Sequence, residues 1–145
     1  MLKQTFLTLS LAAISSLSYA QLSTDLAQKK LTRAAVEKVN KGHIDLNALL
    51  KNSSNDLIVE YHIDTNQKKS TQEIRKVYAD EKLRIRNRFN HHKGSQVLRD
   101  FYSLPIIFHR ISDRQVLVDL LNDPQVKAVY PNQKLYTLAS NSNLS

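Results

Sequence analysis

Asp56-Leu57-Ile58-Val59-Glu60-Tyr61-His62-Ile63-Asp64, followed by Ser70-Thr71-Gln72-Glu73, is the stretch on which the fold turns. Leu57, Val59, Tyr61 and Ile63 alternate with Ile58, Glu60, His62 and Asp64. A period of two predicts a strand with one apolar and one more polar face. Ser70 and Glu73 have the spacing of a capping box, in which hydroxyl and carboxylate satisfy each other's backbone amides. A helix is therefore expected next. Ile74, Val77, Tyr78, Ile85 and Phe89 fall within about a third of its circumference. Glu81 interrupts that stripe, and Lys76, Lys82, Arg84 and Arg86 are assigned to the opposite, solvated side. Lys93-Gly94 is the expected stop.

Downstream, Val97 to Tyr102 reads as a second strand and Leu104 to Ile111 as a third. Pro105 stands near the start of the third, where a missing N–H is tolerated. Ser112-Asp113-Arg114-Gln115 repeats the capping-box form. Val116, Leu117, Leu120 and Leu121 give the following helix one narrow apolar face, and Asn122-Asp123-Pro124 ends it. Val126, Ala128 and Tyr130 form a short strand stopped by Pro131. Gln133 to Ala139 reads as a further extended segment, and Ser140 to Ser145 as a polar tail. The order from Asp56 is strand, helix, strand, strand, helix, strand. Two amphipathic helices need one shared surface to cover. The expected fold class is α+β: a ferredoxin-like βαββαβ unit whose four-stranded antiparallel sheet carries both helices on one face. The other sheet face is left to water or to a partner.

Upstream, Thr24 or Asp25 is placed to cap a helix expected to run to about Val39. Leu26, Val36 and Val39 give it a thin apolar stripe, and Lys41-Gly42 ends it. Ile44 to Leu46 and Leu49-Leu50 form a second short apolar piece, and Lys51 to Asn55 is a polar linker. The expected organisation is a signal peptide over 1–20, a helical lead-in and linker over 21–55, a main domain over 56–139 and a tail over 140–145. The signal reading rests on Lys3, the apolar run Phe6 to Leu17 and the small residues of Ser18-Tyr19-Ala20. That run is shorter than the roughly 20 apolar residues that span a bilayer; a retained anchor is the alternative. No later stretch reads as a membrane span, so the mature chain would begin near Gln21, exported to the periplasm or secreted.

The chain has no cysteine, which excludes disulfides and cysteine-ligated zinc. Its 145 residues carry a formal charge of +8. Such an excess serves solubility, or attraction to an acidic protein or anionic surface; nucleic acid is the least expected partner of an exported chain. The basic helix face between Arg75 and Lys93 is open to the same readings. Nucleic-acid binding would favour exposed aromatics beside the basic groups, whereas Tyr78 and Phe89 belong to the apolar stripe. Catalysis finds little purchase. Gly42 and Gly94 are the only glycines, no serine stands between two glycines, and no G-x-S-x-G element exists. His91-His92 is the one adjacent pair among His43, His62, His91, His92 and His109. Neighbours on a helix point apart and chelate poorly. His62 and His109 are expected at the surface or on a sheet face. No enzyme activity, cofactor or metal is expected.

Three local blocks, together with the element order, resemble the subtilisin-type propeptide and peptidase inhibitor family. Leu57 to Tyr61 resembles the family's opening strand. Leu104-Pro105-Ile106-Ile107-Phe108, followed by Ile111-Ser112-Asp113, resembles its third strand running into its second helix. Leu120-Leu121-Asn122-Asp123-Pro124-Gln125-Val126-Lys127-Ala128-Val129-Tyr130-Pro131-Asn132 resembles the family block "leucine-leucine, x, aspartate-proline, x, valine, x, x, valine". The resemblance covers about residues 56 to 140, with Leu104-Pro105 where many members carry a glycine.

The resemblance implies a stand-alone prodomain without a catalytic domain. It would be an exported inhibitor or folding chaperone of a subtilisin-like serine protease. The open sheet face would dock on two surface helices of the protease, and the C-terminal tail would lie in the substrate cleft like a bound product. An extended segment adds main-chain hydrogen bonds to a cleft edge, and binding the folded protease stabilises it by mass action. Family spacing counted from Val129 brings Leu138 to the primary specificity pocket and Leu135 to the other main pocket. Tyr136 and Thr137 lie between, and Ala139 follows. The alternative leaves Leu135 and Leu138 as inward residues of an edge strand. Two other readings stand beside the inhibitor: the leader remnant of a truncated subtilase, and a basic exported surface-binding module that reuses the fold. The free chain is expected to be a monomer.

Overall fold

The computed structural model describes residues 21–68 and 70–132. The expected signal segment and the expected protease-binding residues Leu135 to Ala139 lie outside the described residues. In chain order the elements are helix α1 (residues 21–30), α2 (Arg33–Lys41), α3 (Leu46–Lys51), strand β1 (Asn55–Tyr61), α4 (Thr71–Asn90), β2 (Ser95–Asp100), β3 (Ile106–Ile111), α5 (Arg114–Asn122) and β4 (Val126–Pro131). The four strands form one open antiparallel sheet in the order β2-β3-β1-β4. The architecture is α+β.

Local chemistry accounts for the element ends. Every second residue of β1 is buried, as the sequence period requires. The capping box at α4 forms in both directions: Glu73 N donates to Ser70 Oγ, and Ser70 N donates to Glu73 Oε2. At α5 the expected box is replaced by a simpler cap. Asp113 is the N-cap, and its carboxylate accepts from Val116 N at 3.0 Å. Asp is as good a cap as Ser, and it stands one residue nearer the helix.

The helix expected from Thr24 to Val39 is two helices, α1 and α2. Thr32 is extended and caps α2 through Ala35 N. The break is held from outside by Asn122, the last residue of α5. Its side chain accepts from Thr32 N and donates to Lys30 O, both at 2.9 Å. A neighbouring element thus satisfies backbone groups at the break.

One core runs through the described residues. Leu57, Val59, Tyr61, Ile107, Ile111, Val126 and Val129 of the sheet join Ile85 and Phe89 of α4 and Val116, Leu117, Val118, Leu120 and Leu121 of α5. The N-terminal helices enter the same cluster through Ala27, Ala35, Val39, Leu49 and Leu50. α2 approaches β4 closely at its end: a Cβ added to Gly42 would stand 1.8 Å from the Val129 carbonyl oxygen. Lys38 completes the junction. Its ammonium donates to the carbonyls of Leu121 and Asp123 at 3.1 and 2.7 Å, where the end of a helix favours a cation. Burial pulls its pKa below the usual lysine value.

Candidate docking face of the sheet

Residues directly opposite in an antiparallel ladder share a face. Leu57 opposes His109, and Val59 opposes both Ile107 and Val129. These belong to the face that the helices cover. On the other face Ile58 opposes Phe108 and Tyr130, Glu60 opposes Ile106 and Ala128, and Asp56 opposes Arg110. Phe108 and Ala128 are buried but stand outside the main core cluster.

A bulge in β2 decides what that strand contributes. Val97 opposes His109, but Arg99 opposes Phe108 and Asp100 opposes Ile107. Leu98 is the extra residue. Because side chains alternate, one inserted residue exchanges the faces of everything beyond it. Arg99 is thereby turned to the open face and Asp100 to the covered one. The open face carries a row across all four strands: Arg99, Phe108, Ile58 and Tyr130. Tyr130 is 37% exposed.

Ion pairs flank this row on both sides. Arg110 donates to both carboxylate oxygens of Asp56, at 2.8 and 2.9 Å. Those hydrogen bonds hold the Asp56 carboxyl below the usual carboxylate range. Lys127 donates to Glu60 at 2.8 Å, and this contact raises the lysine pKa. The Tyr130 hydroxyl reaches the other Glu60 oxygen at 3.4 Å; burial, then the Glu60 charge, raise the phenol pKa. Beyond β2 the chain turns at Phe101 to Pro105, where Tyr102 and Leu104 are exposed. Arg99 lies over the Phe101 ring, its guanidinium carbon 5.3 Å from the centroid.

The covered face holds polar groups of a different kind. Lys82, expected on the solvated side of α4, is 1% exposed. Its ammonium reaches Asp100 and the Phe101 carbonyl. The bulge explains this, since it delivers a carboxylate to the covered face. His109 is fully buried and hydrogen-bonded through Nε2 to the Tyr61 hydroxyl at 2.7 Å. Its ring packs edge-on to Phe89, and Nδ1 has no partner. Burial lowers the His109 pKa to about 4, against the opposing pull of Asp100, and raises that of Tyr61. His62, by contrast, is exposed just beyond β1.

His91 and His92 are exposed beyond the end of α4. Among the described residues no group of three or more His, Cys, Asp and Glu side chains is placed to hold a metal ion, and no helix is long and apolar enough to cross a membrane. The row on the open face was not named residue by residue from the sequence. Ile58 could have been found by taking the polar phase of its strand. Phe108 and Arg99 could not, because their faces depend on register and on the bulge.

The chain matches no family model, no curated protein and no solved structure. Fold and face define a class: an α+β domain whose four-stranded antiparallel sheet is filled by helices on one side and presents an apolar, ion-pair-flanked row on the other.

Proposed function

We propose that this chain is an exported, non-catalytic inhibitor and folding assistant of a subtilisin-like serine protease, built on a ferredoxin-like βαββαβ core. The open sheet face docks on the protease, and the segment after β4, with Leu135 and Leu138 as its anchors, occupies the substrate cleft. The observation that carries the reading is the open face itself. Its centre is apolar, its flanking charges at Asp56–Arg110 and Glu60–Lys127 are already paired, and the sheet order β2-β3-β1-β4 fits the proposed core. An apolar-centred surface whose flanking charges are already paired loses little by desolvation when a partner covers it.

Size supports a two-part contact. Four strands about 4.8 Å apart, each about 20 Å long, give a face of roughly 400 Å². A stable interface buries about 800 Å² on each partner. The sheet supplies about half of that, and an extended tail in a cleft supplies main-chain hydrogen bonds and further area.

Residues 21–145, mixed with purified subtilisin-type proteases while peptide hydrolysis is followed, should inhibit at micromolar concentration or below. Removing residues 135–145 should weaken that inhibition strongly, and Phe108→Asp should weaken it through the face. No inhibition at micromolar concentration would sink the proposal. Unchanged inhibition without the tail would sink its cleft component.

A further inference from the structure

We infer that Arg99 selects the partner: its guanidinium takes a carboxylate on the surface of the protease that covers the open face. The inference rests on the docking reading above. Arg99, Arg110 and Lys127 are the cations on or beside this face. Arg110 is neutralised by Asp56 and Lys127 by Glu60. Arg99 is exposed and, among the described residues, has no carboxylate partner; its contact is with the Phe101 ring.

The placement is specific. In a ladder continued without the bulge from Val97 opposite His109, Leu98 would oppose Phe108 and Arg99 would oppose Ile107 on the covered face. The bulge brings it to the end of the Phe108–Ile58–Tyr130 row instead. Bulges commonly re-aim a side chain in this way. Stacking on Phe101 restrains the guanidinium before any partner arrives, so less conformational freedom is lost on binding. Beside it the turn presents Tyr102 and Leu104, both exposed. The charge sits at the edge of an apolar contact.

The energetic logic is one of discrimination. An apolar row alone would accept many apolar surfaces. A lone guanidinium beside it penalises any partner that covers it without an acceptor, and rewards one that offers a carboxylate in the bidentate geometry arginine favours.

The test uses residues 21–145 and whichever subtilisin-type protease that chain inhibits. Arg99→Gln should weaken inhibition about tenfold at low salt, mostly through slower association. The difference should vanish near 1 M salt, where the screening length is about 3 Å. Arg99→Lys should recover part of the loss. Lys76→Gln removes the same charge from the exposed side of α4 and should leave inhibition unchanged. Arg99→Gln inhibiting as well as the unsubstituted chain would overturn the inference, as would an equal loss in Lys76→Gln, which would mark a net-charge effect. A lowered unfolding midpoint in Arg99→Gln would assign the loss to folding and overturn it too. If the unsubstituted chain inhibits no such protease, the docking reading falls and this inference with it. Inhibition that is indifferent to Arg99 removes the inference alone.

Discussion

The two faces of the one sheet handle charge in opposite ways. On the covered face Lys82 and Asp100 meet in a site where the lysine is 1% exposed. On the open face Arg110 and Asp56 meet with the arginine 48% exposed. Both pairs are short, yet they differ in kind. A buried charge has been stripped of water, so losing its partner leaves a large uncompensated cost. An exposed pair exchanges water for protein contact at little net gain. The lesson is that one face is built to hold the domain together, and the other to keep its charges apart from Arg99 paired until it is covered.

Four measurements break or sharpen that contrast. Truncation in the packed layer should have the largest effect. Ile107→Ala, on the covered face of β3, is expected to destabilise by about 4 kcal/mol in urea unfolding. Ile58→Ala, opposite Phe108 on the open face, should cost far less stability while weakening protease inhibition. Similar stability losses at the two positions would erase the distinction.

The buried pair comes next. Asp100→Ala strands the Lys82 ammonium and should cost about 3 kcal/mol, whereas the double change with Lys82→Met should recover most of it. A double variant no more stable than Asp100→Ala would show that the carboxylate acts otherwise than as the lysine's partner.

Acid should act through His109. Its folded pKa, about 4, lies below the value of 6.5 it has when free. The unfolded chain therefore binds the proton more readily in that window. Stability from this group is complete above about pH 6.5 and falls as pH drops toward 4, by roughly 3 kcal/mol in total. His109→Phe should flatten that part of the profile, read as unfolding midpoint against pH. An unchanged slope between those values would place the acid sensitivity elsewhere.

The smallest effect belongs to the exposed pair. Asp56→Asn should cost about 0.5 kcal/mol at low salt and nothing measurable at high salt. Its sign with pH is the same as that of His109. The Asp56 pKa is depressed, so its contribution is present above the ordinary carboxylate range and lost as pH falls below it. A cost approaching that of Asp100→Ala would mean that the open face is as structural as the covered one.

Much of the framework was legible along the chain. The period of two in Leu57, Val59 and Tyr61, the box at Ser70 and Glu73 and the stop at Asn122-Asp123-Pro124 all act within a few residues. Local hydrogen bonding and alternation suffice to set them, and the structure places elements there. The thin stripe of residues 21–51 was harder to read. Leu26 is 51% exposed, while Ala35 and Val39 are buried by α5 and β4. Small residues gain burial from what packs on them, and the sequence does not announce the neighbour.

The sequence by itself determined the strand and helix succession from Asp56 onward, the absence of cysteine chemistry and the alternation that gives β1 two unlike faces. Tertiary structure alone decided which groups occupy those faces. Leu98 adds one residue to β2, and that single insertion carries Asp100 inward to Lys82 and Arg99 outward to Phe108. Alternation is local, but register is a property of two strands at once. For that reason the buried lysine and the unpaired arginine appear only when β2 is laid against β3.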